Sequence, residues 1–404
     1  MLALAGAVTG EGAAGAVTRP AYTPLAGSAA PLAAQPATGL VSAARKLAVQ
    51  VWLKPDTAAA EAHAAAVSAP GNPQYGHFLS PAAFTAAYGP SAASATAVAS
   101  WLRGQGFTGV SSGPGRSYVA ATAPVLVIDR AFRTTMKYYR PSARVNAGRY
   151  ALRANSTPVS VPSSLSGDVL GVTGLDNAAV APGQASARTP AACSSYYGQH
   201  VASGWPKLFG VTSFPTSVCG YHASQLRAAY GANGANTGKG QTIALVETGT
   251  ADDYPSLAAY AAAMKLPAPS RTRYQRLQVG KGSCDSGSWR EEEELDVEAS
   301  YAMAPGAHQI VVGGPSCDDG NDLQSVLDAD LAVVNGSGGR PLATIVSNSW
   351  GNNVSFEGQA PDVTSIEHAY LVQAAAEGVG MYFSTGDSPG AEPPATDPYA
   401  TAVA

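Results

Sequence analysis

The sequence predicts an α/β protein in two parts, a small α+β domain followed by a larger domain built on a mainly parallel sheet. Three observations indicate this. Strand and helix patterns alternate at short spacing over residues 46–141. A stretch almost without large apolar residues follows at 177–192. From residue 241 onward, strands bounded by glycine alternate with helices, which is typical of a parallel sheet.

The composition excludes several classes of protein. The 404 residues carry a net charge of -4, and 46% of them are hydrophobic while 13% are charged. The sequence shows no basic patch of the kind that binds nucleic acid or anionic lipid. No apolar run approaches the ~18 residues of a membrane span. We therefore expect neither a nucleic-acid partner nor a membrane partner. The length of the chain is sufficient for two or three domains.

The first forty residues predict a leader. Residues 1–40 are rich in alanine, proline, glycine and threonine, which is typical of disorder. The apolar start, followed by small residues, suits a signal-peptide cleavage site, although it lacks a positively charged beginning. A shortened signal peptide and a disordered leader both stay open as interpretations. Low charge and this start together predict a secreted protein.

Residues 41–176 predict the small domain. Alternating apolar residues over 46–55 predict its first strand, and an alanine-rich helix follows. The pairs Ser80-Pro81 and Gly89-Pro90 are helix-start signals, so we expect two further helices there. The next 16 residues, 177–192, predict an exposed linker that proteases would cut.

Residues 193–404 predict the larger domain. In a parallel α/β sheet, functional residues collect where the strands end at their carboxyl edge. Three stretches stand at such ends: LVETGT with Glu247, SNSWG at 347–351, and STGDSPG with Asp387. We expect these stretches to meet at one edge of the sheet.

Four consecutive glutamates open an otherwise apolar helix in REEEELDVEASYAMAPGA, at 290–307. Acidic side chains are favoured near a helix N-terminus, and three of these are interpreted as solvated helix-start charge. Those three are Glu291, Glu293 and Glu294. Asp296 and Glu298 lie among apolar residues, where a carboxylate needs a partner. Glu292 and Asp296 share one helix face, and paired carboxylates can divide acid and base roles.

These motifs together resemble the sedolisins, the serine-carboxyl peptidases related to kumamolisin. The helix that opens Glu-x-x-Leu-Asp-Val-Glu and ends Ala-Pro-Gly-Ala resembles that family's catalytic helix. STGDSPG is similar to its Ser-x-Gly-Asp-Ser-Gly stretch, with Pro389 in place of the last glycine. SNSWG is similar to its substrate strand. PQYGHFLSPAAFTAAYGP, at 73–90, resembles its pro-region, and the resemblance covers about residues 41–404.

The resemblance implies a subtilisin-like, mainly parallel sheet flanked by helices, preceded by a ferredoxin-like pro-domain. It implies that Glu292 is the general base, that Asp296 orients this base, and that Asp387 is the oxyanion-hole donor. Glu247 and Trp350 would extend the hydrogen-bond network behind Asp296. The implied substrate-strand residues are Ser347, Asn348, Ser349 and Gly351.

The function implied by this resemblance is that of an acid-active endopeptidase zymogen, secreted and monomeric. Its substrates would be proteins or peptides, and its own pro-domain would be an intramolecular inhibitor. The family's nucleophile is the serine of a Gly-Thr-Ser motif, which these 404 residues do not contain. We therefore expect the nucleophile and a calcium loop to lie beyond this chain, which alone would be inactive and would bind no cofactor.

One alternative belongs to a different class. A pro-domain docked on a peptidase-like scaffold without a nucleophile would be a non-catalytic binding or inhibitory module. The coding sequence downstream of this chain separates the two hypotheses, because a Gly-Thr-Ser motif there supports the peptidase and a stop codon supports the module.

The cysteines predict disulfides rather than a metal site. The chain has four cysteines and six histidines, and these form neither a CxxC nor an HExxH motif. Widely spaced cysteines in an exported chain are typical of disulfides. Three connectivities are open, and local pairing is favoured: Cys193 with Cys219, and Cys284 with Cys317.

Overall fold

The computed structural model describes residues 20–140, 151–178, 181–182, 198–208, 210–216, 221–232, 234, 236–280, 289–314, 322–351, 360–386 and 391–403. Its helices are α1 Thr57–Ser68, α2 Pro81–Ala87, α3 Ala92–Gln105, α4 Val125–Phe132, α5 Ala223–Ala229, α6 Tyr254–Ala263, α7 Arg290–Met303, α8 Asp322–Asn335 and α9 Pro361–Ala376. Its strands are β1 Tyr22–Pro24, β2 Ala37–Leu40, β3 Lys46–Leu53, β4 Thr108–Ser112, β5 Tyr118–Pro124, β6 Met136–Tyr139, β7 Arg153–Asn155, β8 Ser160–Pro162, β9 Val169–Thr173, β10 Ala181–Pro182, β11 His200–Leu208, β12 Val211–Thr216, β13 Thr242–Glu247, β14 Tyr274–Gln278, β15 His308–Gly313, β16 Ile345–Asn348, β17 Trp350–Gly351, β18 Gly380–Ser384 and β19 Thr401–Val403.

The N-terminal part is built on an antiparallel sheet with the strand order β4-β5-β3-β9. Along the chain, α1–α3 separate β3 from β4, α4 follows β5, and β6–β8 come between α4 and β9. The inward residues of β3, among them Val49 and Val51, pack against Val98 and Leu102 of α3. Burial of these apolar side chains holds the sheet and helices together.

Side-chain caps begin three helices of this part, α1, α2 and α3. Asp56, Ser80 and Ser91 each accept a hydrogen bond from the backbone N–H three residues later, at 3.3, 3.2 and 2.9 Å. Such a cap satisfies a donor that the first turn of a helix leaves unpaired. The helix expected after Ser80-Pro81 accordingly begins at Pro81, and the next begins at Ala92.

The expectation of a leader without structure up to residue 40 is wrong for residues 21–40. β1 pairs with β8 and β2 pairs with β6, both antiparallel. Leu25 and Leu32 are buried, and Leu32 packs beside Tyr139 and Leu152. Composition suggested disorder because these few apolar anchors stand apart in an Ala/Pro/Gly-rich stretch, and only the fold shows what they contact.

The C-terminal part contains a six-stranded sheet with the order β14-β15-β13-β16-β18-β19. Every pairing in it is parallel. α7 packs against β13 and β15, and α8 packs against the same two strands. A mainly parallel sheet flanked by helices was expected for this part. The described helices of both parts include none that is long and apolar enough to cross a membrane.

The antiparallel sheet of the N-terminal part packs onto α8 and α9. Gln50 Nε2 and Tyr118 OH donate hydrogen bonds to Asp328 Oδ1 on α8, at 2.9 and 2.6 Å. Burial raises the pKa of Asp328 to about 6, although both hydrogen bonds act to lower it. A Cβ at Gly171 of β9 would lie 2.9 Å from Asp362 Oδ2 on α9, so the backbones approach closely there. The two parts therefore share a buried polar interface.

The first residue of the predicted linker belongs to the folded part. Asn177 is buried, and its Oδ1 accepts a hydrogen bond from the backbone N–H of Arg153 at 2.6 Å. Residues 181–182 form β10, residues 179–180 and 183–197 lie outside the described residues, and the described part resumes at 198. The boundary between pro-domain, linker and larger domain stays a prediction.

Candidate active site

The carboxyl edge of the parallel sheet gathers polar side chains from separate segments. β13 ends at Glu247 and β16 ends at Asn348, and the register pairs Val246 with Asn348. Ser349 follows directly at the same edge. Since parallel strands all end at one edge, residues about a hundred positions apart in sequence become neighbours. The predicted stretches around Glu247 and at 347–351 therefore meet as expected.

Asp296 of α7 reaches this edge. Its carboxyl is largely buried, and its Oδ1 accepts a hydrogen bond from Ser349 Oγ at 2.7 Å. Glu247 also hydrogen-bonds to Asp296. Burial raises the pKa of Asp296 to about 6, against the hydrogen bonds from Ser349 and Glu247, which act to lower it. Asp296 thus joins the helix, the strand β13 and the segment after β16.

Glu247 is the member of this carboxyl pair whose surroundings most favour the protonated form. Burial, followed by the charges of Asp296, Glu293 and Glu292, raises the pKa of Glu247 well above its usual value. Glu247 Oε1 and Asp296 Oδ2 are both buried, and neither has an N–H or hydroxyl partner among the described residues. Two carboxyl groups can hydrogen-bond only if one carries a proton. A proton on Glu247, donated to Asp296, satisfies both groups.

Glu292 lies one turn before Asp296 on the same helix and is partly buried. That spacing places both side chains on one face of α7. The charge of Glu292 is one of those that raise the pKa of Glu247. Glu292, Asp296 and Glu247 therefore form one electrostatically coupled carboxyl cluster.

The residues expected to form the substrate strand divide into two groups, because Ser347, Ser349 and Gly351 are partly exposed whereas Asn348 is buried. Trp350 is buried as well. The indole N–H of Trp350 donates to Asn348 Oδ1 at 2.8 Å, and its ring stands edge-on to Phe383 with 5.4 Å between centroids. Trp350 was expected in the network behind Asp296. Its single N–H is taken by Asn348 instead, so of the two residues expected there Glu247 is the one that contacts Asp296.

The glutamate run differs from the expectation at one residue. Glu291 is exposed, and Glu294 pairs with Arg290 at 3.2 Å, as helix-start charges do. The interpretation of Glu293 as solvated is wrong. Its side chain is fully buried, and its Oε1 accepts a hydrogen bond from the backbone N–H of Ala251 at 2.9 Å. Successive helix residues point about 100° apart, so a helix packed on one side must turn one of four consecutive side chains inward.

Glu298, the other acid expected to need a partner, accepts a hydrogen bond from Ser256 Oγ of α6 at 2.6 Å. Sequence reasoning missed the partners on the α6 side, Ala251, Asp253 and Ser256. The alternation of strands and helices predicts the helix α6 itself, and the acid pair Asp252-Asp253 before Tyr-Pro is a signal for its start. Nothing in that signal indicates a contact with α7.

Several predicted residues lie outside the described part of the chain. They are Asp387, with its expected oxyanion role, and the cysteines Cys193, Cys219, Cys284 and Cys317. Within the described residues, no group of three or more histidine, cysteine, aspartate or glutamate side chains could hold a metal ion. The calcium site expected beyond this chain stays a prediction.

The segment that follows the N-terminal part lies against the strand that was expected to bind substrate. β10 pairs antiparallel with β17, with Ala181 opposite Gly351 and Pro182 opposite Trp350. Backbone pairing to an exposed strand is a common way in which proteins hold an extended peptide. This chain therefore places its own backbone beside the strand that was expected to bind substrate.

The fold and the site define an α/β protein whose buried carboxyl cluster, at the carboxyl edge of a parallel sheet, is suited to acid–base chemistry. Comparison with known proteins agrees with this class. Residues 37–178 match the family model of the pro-kumamolisin activation domain. The chain is 24% identical to xanthomonalisin of Xanthomonas sp. (strain T-22) over 85% of its length, and 26% identical to sedolisin of Pseudomonas sp. (strain 101) over 80%. It is 29% identical to kumamolisin of Bacillus sp. (strain MN-32) over 68%.

The chain is therefore similar to the sedolisins, and residues 37–178 of its N-terminal part match the pro-kumamolisin activation domain. It spans 39%, 51% and 45% of the length of those three relatives, respectively. A solved structure of Pseudomonas sedolisin, complexed with two molecules of pseudo-iodotyrostatin, superimposes with a TM-score of 0.38 at 19% identity. That superposition covers 46% of this chain and 53% of the other.

Proposed function

We propose that this chain is the pro-domain and the base-bearing part of a secreted, acid-active serine-carboxyl endopeptidase zymogen. The observation that carries the proposal is the buried contact of Asp296 with both Glu247 and Ser349, one helical turn after Glu292. A base needs an orienting partner held in place by further hydrogen bonds, and this cluster supplies that arrangement with carboxyl groups.

In the proposed mechanism, Glu292 removes the proton of a serine hydroxyl while that oxygen attacks the peptide carbonyl. Asp296 holds Glu292 in orientation, and the protonated Glu247 and Ser349 hold Asp296. Asp387, in its neutral form, donates a hydrogen bond to the oxygen that becomes negative. The role of Asp387 rests on its motif alone. The attacking serine is assigned to a Gly-Thr-Ser motif, which these 404 residues lack.

The charge distribution of the site supports activity in acid. Burial raises the pKa of both Glu247 and Asp296, so a rise in pH ionises groups that have little access to solvent. Glu292 is less buried than either of these two groups, so its charge keeps more contact with solvent. Acid conditions thus allow an ionised base beside neutral, hydrogen-bonded neighbours.

The zymogen part of the proposal is supported by the way the N-terminal part packs. Its sheet covers α8 and α9 through Gln50, Tyr118 and Asp328. The segment after it pairs, as β10, with the strand β17 beside the candidate site. A protein or peptide substrate would need the same backbone positions. The pro-domain and its following segment are therefore proposed as an intramolecular inhibitor of a monomeric enzyme.

The test is a peptidase assay of the protein translated from the complete reading frame, from about pH 3 to about pH 8. Glu292→Gln should lower kcat/KM about 100-fold or more, because the base is lost while the shape of the side chain is kept. Glu291→Gln, one residue earlier and exposed, is the matched control and should retain activity. Equal activity of Glu292→Gln and wild type would reject Glu292 as the base.

The second candidate is a non-catalytic binding or inhibitory module, and the packing of the N-terminal part onto α8, with β10 paired to β17, is the observation that favours it. The sequence of the reading frame after codon 404 separates the two candidates. A Gly-Thr-Ser motif there supports the peptidase, and a stop codon supports the module. A peptidase of this family would also be expected to bind calcium through residues beyond this chain.

A further inference from the structure

A second buried carboxyl pair lies at the first turn of α7. Glu293 accepts the backbone N–H of Ala251 at 2.9 Å. Asp253, two residues further along the same loop, is also fully buried, and its carboxyl hydrogen-bonds to Glu293. The residue next to the candidate base Glu292 therefore ties the catalytic helix to the loop that leaves β13.

The side chain of Asp253 does not cap the helix that begins beside it. It stands at the N-cap of α6, where an aspartate ordinarily accepts a hydrogen bond from the first turn of the helix. Asp253 makes no such capping bond. Its backbone N–H donates to Tyr274 OH at 3.2 Å, and that hydroxyl lies 3.5 Å from its Oδ2. The carboxyl is therefore committed to Glu293 and Tyr274.

This contact needs a proton, because two ionised carboxylates cannot hydrogen-bond to each other. Burial raises the pKa of Asp253, against the hydrogen bond from Glu293, the charge of Arg290 and the hydrogen bond from Tyr274. Other charged or titratable groups also face the pair. They are Glu247, Tyr274, Arg290 and Glu294, with Asp252 and Glu292 as sequence neighbours of the pair. The charge of Glu294 favours keeping the shared proton, and the charge of Arg290 opposes it.

We propose that Glu293 is a positioning residue for the base: in its protonated form it bridges Ala251 and Asp253, and so fixes the turn of α7 that carries Glu292. This inference rests on the proposed peptidase function, since it adds a residue to that same site. When the shared proton is lost, two buried negative charges are in contact and the first turn separates from the loop. The tie is therefore present in acid and lost toward neutral pH.

A second tie between α7 and the α6 side provides the comparison. Ser256 Oγ donates to Glu298 Oε1 at 2.6 Å, one and a half turns after Glu293. A hydroxyl can donate to a carboxylate at any pH in this range, so this bond needs no additional proton. Proton dependence is therefore specific to the first turn, and Glu298→Gln is a matched control on the same helix.

The first measurement is hydrogen exchange of the Ala251 amide in the 404-residue chain, at about pH 5 and about pH 8 and corrected for the intrinsic rate. Protection in wild type should fall about tenfold or more between these two conditions. Glu293→Gln should keep its protection at both, because an amide accepts from Ala251 and donates to Asp253 whatever the pH. Glu293→Leu should lose protection at both. Glu298→Gln should follow wild type.

The second measurement is the pH profile of kcat and KM in the peptidase assay. Glu293→Gln should move the alkaline limb toward neutrality, whereas Glu293→Leu should lower kcat about tenfold or more with little change in KM. If Glu293→Gln matches wild type in both measurements, the positioning role is overturned and the peptidase function stands. If exchange behaves as expected but no peptidase activity exists, the peptidase function and the assignment of Glu293 to it both fall.

Discussion

Ser349 Oγ donates a hydrogen bond to Asp296 Oδ1 over 2.7 Å, and so joins the expected substrate strand to the helix expected to carry the base. The bond lowers the pKa of Asp296, opposing the larger effect of burial. The strand and the helix are therefore joined through a carboxyl group, and the hydrogen bond between them is stronger when that group is ionised. Substitutions at either end should change stability in a pH-dependent way.

Ser349→Ala should destabilise the chain more at neutral pH than in acid. The lost hydrogen bond stabilises mainly the ionised form of Asp296, and a bond to a charged group contributes about 1.5–3 kcal/mol. With the pKa of Asp296 at about 6, the full loss is expected above that pH and a smaller loss below it. Denaturant unfolding at several pH values measures this. Ser347→Ala is the control, and an equal loss at every pH would contradict the assignment of Ser349 to the ionised Asp296.

Glu247→Gln should flatten the dependence of stability on pH. The pKa of Glu247 is raised in the folded state, so its contribution is fully present below its unfolded value of 4.5 and is lost as pH rises through the folded value. A glutamine at this position is neutral at every pH, so the variant loses no stability from this group over that range. The melting temperature of the variant should therefore exceed that of wild type at alkaline pH. The melting temperature of Glu291→Gln should follow that of wild type at each pH. If the melting temperature of Glu247→Gln fell with rising pH as steeply as that of wild type, the raised pKa of Glu247 would be contradicted.

His368→Gln should weaken the contact between the two parts only where the histidine is charged. His368 Nε2 lies 2.9 Å from Glu61 Oε1 on α1, and its Nδ1 lies 2.8 Å from Asp397 Oδ2. Burial lowers the pKa of His368, but the hydrogen bonds and charges of Asp397 and Glu61 outweigh it and raise the pKa above 6.5.

The charged pair therefore stabilises fully below about pH 6.5 and is lost as pH rises through the higher folded value. Since Glu61 is partly exposed, the expected loss is about 1 kcal/mol or less. Thermal unfolding across pH measures it, with the exposed His77→Gln as control. If His368→Gln destabilised the protein more at alkaline pH than at about pH 5, the stabilising contact between charged His368 and the two carboxylates would be rejected.

The four cysteines should be oxidised, with Cys193 linked to Cys219 and Cys284 linked to Cys317. Widely spaced cysteines in a chain proposed to be secreted are expected to pair, and short loops favour the local connectivity. Peptide mapping without reduction identifies the linked peptides. Recovery of a peptide that joins Cys193 to Cys284, or of four free thiols, would contradict the pairing.

The sequence by itself determined the order of elements and much of the candidate site. Helix-start pairs such as Ser80-Pro81 and the alternation of β3 act locally, through capping and side-chain periodicity, so the residues themselves show them. The parallel sheet also follows from local pattern, and it predicts that Glu247 and 347–351 meet at one edge. The helical spacing of Glu292 and Asp296 likewise needs no tertiary information.

Only the tertiary structure decided what each carboxyl group contacts. The four glutamates at the start of α7 are chemically identical in sequence, yet Glu293 alone among them is fully buried, because α7 packs against the loop after β13. The partners of Trp350 and Asp253, and the ordering of Leu25 and Leu32, depend in the same way on segments far away in the chain. Burial and hydrogen bonding arise from contacts between such segments, and a local pattern of residue types carries no record of them.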